Sequence, residues 1–396
     1  MENLFEKLIN KDCQYDECQE FMPTGEYEGI KAITYEGAML KGEKTKIFAY
    51  LGFPENSPSK VPAVVLVHGG GGAPYLRWVK EWNDRGYAAI AMSTTGYFPT
   101  VTNAGADETE EDGKLWNYGL SGIFAEKGYA DAPNNDAMQN SENPIEEQWM
   151  YHAISDVILA NSILRRDSCV DETKIGIMGV SWGGVITALA IGYDKRFAFA
   201  VPVYGSGYLT EDMGYIGNYF RSGKNPELWL AEKKFSDVDI PVLWQCWNSD
   251  RPFSVNSNSL SYLDTVKNNE KTRLSIIHEM NHAHTWSWIR PEPMVFADFV
   301  CKGRKTIPFF DTERKAVFNP DGVEIKSVKV YYITEKLEYV MNPETKGYSM
   351  GQSWQIVDFA GEIPQAAKGW YFEITSVIDG KEIVTATPFA EKTEDM

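Results

Sequence analysis

A chain of 396 residues, 43% hydrophobic and 24% charged, has the length for two globular domains and shows no repeat or low-complexity tract. Its net charge of −18 supplies no clustered cationic face, which argues against nucleic acid or an anionic membrane surface as partner. No run of about 18 uncharged apolar residues occurs, the first ten residues lack a signal-peptide core, and five cysteines without a CxxC pair (Cys13, Cys18, Cys169, Cys246, Cys301) fit reduced thiols, so a cytoplasmic protein without a zinc site is expected.

From the start, residues 1–35 read as an N-terminal arm of short helix and turn, punctuated by Pro23, Gly25 and Gly29. Over 44–51, Ile47, Ala49 and Leu51 alternate with Lys44, Lys46 and Tyr50, the pattern of an antiparallel strand at a sheet edge. Residues 63–67 are apolar throughout, as in a central parallel strand covered on both faces, and lead straight into His68 and the glycines 69–72. A helix over 76–85 closed by Gly86 and a buried strand over 87–92 follow. The tract 97–143 is the least regular part, yet it holds Tyr97, Phe98, Trp116, Tyr118, Phe124 and Tyr129, which predicts a lid or pocket wall.

Order resumes with Asn143, Pro144 and Glu146 as N-cap, N1 and N3 of a helix; Met150, Ile154, Val157, Asn161 and Leu164 keep helical spacing, and Arg165 and Arg166 close it. Strands are expected at 175–178, 197–203, 240–246 and 273–279, with helices at 256–268 and 294–302. Repeated β–α units make a mostly parallel sheet with helices on both faces. Near Arg304 the pattern changes. Short alternating segments at 327–333, 354–358, 369–375 and 381–387 predict a separate all-β domain with its own core, a small immunoglobulin-like sandwich. The expected organisation is an arm (1–35), a catalytic α/β domain (36–304) with the 97–143 insertion, and a β-sandwich domain (305–396).

The chemistry concentrates at Gly179-Val180-Ser181-Trp182-Gly183-Gly184, where an apolar strand turns sharply into an apolar helix. That is the nucleophile elbow: the glycines let strand and helix pass closely, and the helix N-terminus favours the negative charge that an attacked carbonyl develops. A serine needs a base, and the base an acid, each at the C-terminal end of a sheet strand in the order Ser, Asp, His. Asp250 follows the strand ending at Cys246, whereas Asp237 and Asp239 precede it. Of five histidines, His68, His152 and His278 belong to the glycine loop, a helix and a strand, which leaves His282 and His284 as the base. Trp182, with Gly70 or Gly71, would supply oxyanion amides, since no GxGxxG or Gly-Lys-Ser/Thr spacing marks the glycines as a phosphate cradle.

Residues from about 60 to 300 resemble the dienelactone-hydrolase and acetyl-xylan-esterase branch of the α/β-hydrolase superfamily. The matching features are the His68 glycine loop, residues 85–92, 149–153 and 200–205, the elbow, Pro241 to Trp244, and the His-x-His loop 282–284. The resemblance implies the α/β-hydrolase fold and a metal-free, cofactor-free serine esterase, often acting on acetylated carbohydrate. It also places the base at His282, with His284 as runner-up. Trp247 and Trp286 are candidates to stack on a sugar. A serine peptidase of prolyl-oligopeptidase type and a non-catalytic carbohydrate-binding protein are the rival readings.

Overall fold

The computed structural model describes residues 3–55, 59–70, 72–96, 142–222, 227–341 and 348–392, with the backbone of 110–111 and 114–115. Apart from that last short pair and residues 142–143, the tract expected to form a lid lies outside the described residues, as do its six aromatics.

The chain runs α1 (Glu6–Ile9), β1 (Tyr15–Glu17), β2 (Lys31–Glu36), β3 (Lys46–Gly52), β4 (Val61–Val67), α2 (Leu76–Asp84), β5 (Ala88–Met92) and the pair β6 (Glu110–Glu111) and β7 (Lys114–Leu115). It continues through α3 (Trp149–Arg166), β8 (Val170–Val180), α4 (Trp182–Tyr193), β9 (Phe199–Val203), α5 (Ile216–Ser222), β10 (Leu243–Trp247), α6 (Val255–Thr265), β11 (Arg273–Ile277), α7 (Trp286–Ile289) and α8 (Glu292–Cys301). The main sheet has the order β1-β2-β3-β5-β4-β8-β9-β10-β11. Neighbours from β5 to β11 are parallel, and β1, β2 and β3 add on antiparallel. Winding reverses between β4 and β8, and the crevice beyond the strand ends at such a point is where ligands meet an open α/β sheet. Val67 pairs with Gly179, Gly179 with Pro202, and Val180 with Val203, so the loops after β4, β8 and β9 leave the sheet side by side.

Three differences from the sequence reading have physical causes. Residues 44–51 are not an edge strand: β1 and β2, from the presumed arm, extend the sheet beyond β3. Residues 47–52 are therefore all buried, with Phe21 edge-on to Phe48 at 5.7 Å. The helix expected from Asn143 begins as a single 3₁₀ turn, Ile145–Glu147, and α3 starts only at Trp149. Gln148, extended at ψ 140°, breaks the two because its side chain is engaged, accepting from Trp229 Nε1 (2.7 Å) and donating to the Asn143 carbonyl (2.9 Å).

The third difference concerns the C-terminal part, a small antiparallel β domain. It comprises β12 (Phe309–Asp311), β13 (Ala316–Phe318), β14 (Glu324–Ile333), β15 (Tyr339–Met341), β16 (Tyr348–Met350), β17 (Gln355–Asp358), β18 (Gly369–Ile378), β19 (Lys381–Ala386) and β20 (Ala390–Glu391). Its principal sheet runs β17-β14-β18-β19, with β20 beside β18 and two separate ribbons, β12–β13 and β15–β16. The period of two sorts its side chains. Val330, Tyr332, Phe372 and Ile374 form a core of their own with Phe310, whose ring stacks on Phe372 at 4.4 Å. Tyr331, Ile333 and Tyr371, facing the other way, join the core of the α/β domain. The Ser275 hydroxyl of edge strand β11 donates to the Val384 carbonyl (2.8 Å), and Glu292 accepts from the Val384 amide (3.0 Å). The two parts therefore share a core where separate ones were expected.

That sharing sets an expectation for truncation. A chain ending at residue 304 leaves the inner face of β11 uncovered, and its thermal midpoint should fall by more than about 5 °C relative to the full chain. A truncated chain that melts with the full one would show that the cores are independent.

Candidate active site

Between β8 and α4, Ser181 sits at φ 58° and ψ −119°, a left-handed conformation that an L-residue keeps only where its surroundings enforce it. Glycines allow that enforcement. A Cβ on Gly179 would lie 2.1 Å from the Gly183 carbonyl oxygen, one on Gly183 2.0 Å from that of Val67, and one on Gly184 2.8 Å from the Gly205 backbone. Strand, helix and neighbouring loops thus press together around the serine, whose amide donates to the Val203 carbonyl of β9 (2.8 Å).

Asp250 follows β10 and His282 follows β11, and both side chains converge on Ser181. His282 Nε2 lies 2.8 Å from Ser181 Oγ, and His282 Nδ1 2.8 Å from Asp250 Oδ2. A carboxylate only accepts, so Nδ1 carries the proton and Nε2 is left to accept from the serine hydroxyl. Asp250 is fully buried, and its second oxygen accepts from the Phe253 amide (3.2 Å). The imidazole of His282 is held between two rings, Tyr204 at 4.8 Å and, nearly parallel, Phe253 at 6.1 Å.

Tyr204 and Phe253 are the residues that sequence reasoning missed. Tyr204, at φ 58° just beyond β9, donates its hydroxyl to the Asn281 carbonyl (2.6 Å) and so anchors the residue before His282. The Tyr-Gly pair ending that strand was the available signal. Trp286 and Trp247, expected to line a pocket, are partly exposed, and both indole N–H groups brace these loops. Trp286 donates to the Asn281 side chain, and Trp247 to the His278 carbonyl (3.1 Å).

The glycine loop lies directly on Ser181, since a Cβ on Gly69 would stand 2.9 Å from Ser181 Cβ. Within it, the Gly72 amide donates to the Gly69 carbonyl (3.0 Å) and the Gly69 amide to His284 Nε2 (2.8 Å). His284 is thereby assigned to the loop, and its Nε2 is already taken. Gly70 stands at the exposed turn, whereas Gly71 lies outside the described residues. The Trp182 amide opens α4 and has no carbonyl one turn back to receive it. The Trp182 ring packs on Phe220 and edge-on to Trp149, each at 5.8 Å. His68 bridges strand ends, with Nδ1 at the Gly69 carbonyl (2.8 Å) and Nε2 accepting from the Thr94 amide (3.0 Å). Burial lowers its pKa to about 4. Among the described residues no group of three or more His, Cys, Asp and Glu could hold a metal ion, and no helix is long and apolar enough to cross a membrane.

A model of the prolyl oligopeptidase family matches residues 139–291, which include Ser181, Asp250 and His282, and a model of acetyl xylan esterase (AXE1) matches residues 19–211. The chain belongs to the α/β-hydrolase superfamily. Both matched families are families of hydrolases. Among solved structures it is similar to an acetyl xylan esterase from a Paenibacillus species, at 18% identity and a TM-score of 0.49 over 74% of this chain and 92% of that one. Acetyl xylan esterase 1 from a Thermoanaerobacterium species gives 14% and 0.47 over 75% and 93%. The acylaminoacyl peptidase of Pyrococcus horikoshii gives 18% and 0.47 over 72% of this chain, which spans 44% of that one. No curated protein sequence matches.

The environment of His284 gives a test by pH. Burial, with His68 and His282 beside it, lowers its pKa from 6.5 to about 3. Between those values the unfolded chain binds a proton there that the folded chain does not. The stability it contributes is therefore complete above about pH 6.5 and lost as pH falls toward about 3. His284→Gln retains an acceptor for the Gly69 amide and removes this titration, so its urea midpoint should drop less between about pH 6.5 and about pH 4.5 than that of the wild type. Equal drops would contradict a neutral ring serving the loop.

Proposed function

We propose that the chain hydrolyses carboxylic esters through an acyl-enzyme at Ser181. The observation that carries this reading is the unbroken hydrogen-bond chain from a serine on a strained turn, through a histidine of fixed tautomer, to a buried carboxylate. Ser181 Oγ attacks the ester carbonyl as its proton passes to His282 Nε2, and Asp250 stabilises the imidazolium through Nδ1–H. The negative oxygen of the tetrahedral intermediate is met by the Trp182 and Gly70 amides; preorganised donors of this kind are worth about 3 kcal/mol each. His282 then protonates the departing alcohol oxygen. In the second half, water gives its proton to the same nitrogen, attacks the acyl carbon, and Ser181 leaves with the proton restored.

An ester is favoured over a peptide because the acetyl-xylan-esterase model matches the longer stretch of the chain. An acetylated carbohydrate is the substrate proposed, with Trp286, braced next to His282 through Asn281, as the ring that meets the sugar. The 139–291 match to the prolyl oligopeptidase family makes a peptide the second reading.

Hydrolysis of acetyl, butyryl and aromatic esters, set beside N-acyl peptide amides, decides between them. Acetyl esters should be cleaved fastest. Ser181→Ala should lower that rate by about four to six orders of magnitude with the fold intact. His282→Ala should abolish the acyl-enzyme burst, whereas His284→Ala keeps a measurable fraction. An active alanine variant at Ser181, or preference for the amides, would overturn the proposal.

A further inference from the structure

The C-terminal β domain grips the turn that carries the acid of the site at Asn248. Asn248, fully buried, lies two positions before Asp250 and just beyond β10. Its side-chain amide donates to Tyr371 Oη (2.9 Å), with His278 Nδ1 at 3.0 Å, and its carbonyl accepts from Trp354 Nε1 (3.2 Å). Its own amide continues the ladder to the Ile277 carbonyl (3.4 Å), and the Asp250 amide closes a turn on the Trp247 carbonyl (3.2 Å). The two donor and acceptor rings from the β domain are rigidly mounted. Tyr371 stacks on Tyr331 at 5.0 Å and meets Trp354 edge-on at 5.2 Å, and Trp354 in turn meets Phe389 at 5.9 Å. The turn carrying Asp250 is thus pinned from the β domain at both the side chain and the main chain of Asn248.

We propose that Tyr371 and Trp354 are positioning residues: by holding Asn248 they fix the turn that sets Asp250 against His282, so that the C-terminal domain completes the active site. The inference rests on Ser181, His282 and Asp250 acting as proposed above. Misplacing a catalytic group by an ångström costs up to about a hundredfold in rate, so a clamp so near the carboxylate has leverage out of proportion to its size. A carboxylate held less firmly at Nδ1–H also stabilises the imidazolium less, which favours the neutral, reactive histidine at lower pH.

The test uses the full chain and Tyr371→Phe, Trp354→Phe and the double variant. Tyr371→Phe keeps the ring and removes only the hydroxyl, whereas Trp354→Phe keeps an aromatic ring but takes away the indole N–H together with part of the indole's volume. A fluorophosphonate probe labels the serine without any knowledge of the substrate: Oγ bonds to phosphorus, fluoride leaves, and His282 takes the proton. Its second-order labelling rate is followed from about pH 5 to about pH 9, beside the thermal midpoint. Facing Asp250, the hydroxyls of Tyr204, Tyr215 and Tyr339 and the Cys246 thiol are pushed up by burial and by that carboxylate. His68 and His284 are held down to about 4 and about 3, and His278, lowered by burial, is retained in every chain compared.

The expected result is a fall of roughly tenfold to a hundredfold in labelling by the double variant, an acid limb displaced to lower pH, and a thermal midpoint near that of the wild type. The single variants are read by the same criteria if the double variant does not fold. Unchanged rates and acid limbs overturn the inference, as does a loss that merely follows the folded fraction with the acid limb in place. A wild-type chain that takes no label overturns the functional reading and this inference together; normal labelling with indifferent variants overturns this inference alone.

Discussion

A serine at φ 58° stays there only when the backbone around it leaves no other arrangement, and much of this fold serves that one constraint. The glycines at 179, 183 and 184 let β8, α4 and the loops after β4 and β9 come within contact of one another, and a methyl group at any of the three would collide with backbone. The apolar sequence of α4 follows from the same demand. A helix so tightly embraced has almost no solvent face, and nearly all of its residues are buried. Strain at the serine is tolerated because a large shared core surrounds it.

Charge is rationed around that strained turn. His68 and His284 lie close to Ser181, yet both are depressed well below neutral pH by burial and are spent as structural acceptors, one for the Thr94 amide and one for the Gly69 amide. Asp250 is buried against the one imidazole that also reaches Ser181. On the far side of the Asp250 turn, burial raises the carboxyl of Asp212 to about 6, and it accepts from the hydroxyls of Ser254 and Ser257 and from the amides of Gly214 and Ser254. The Asp250 turn is thus flanked by polar support from α6 and from the β domain.

How much of this was legible in the sequence depended on how local each signal was. The β–α alternation and the elbow are encoded within windows of about ten residues, and they appear where expected. His282 and His284 could not be separated by spacing, because both lie in one loop; what separates them is a hydrogen bond from Gly69, distant in sequence, to one ring only. β1 and β2 were hidden because one is three residues long and the other is buried by neighbours that its own pattern does not reveal. The break at Gln148 depends on Trp229, and the merged core on the inner face of a sheet whose alternation looks the same whether that face meets solvent or another domain. Tyr204 and Asn248 read as ordinary strand-end residues until their partners are in place.

The account stands or falls on the acyl-enzyme. Acid quenching of the chain during turnover of an activated acetyl ester, followed by digestion and mass spectrometry, locates the acyl group directly. The account predicts a single acetyl group on the peptide bearing Ser181, absent when that residue is alanine. A chain that cleaves the ester with no acetylated peptide, or with the acetyl group on another side chain, would contradict it.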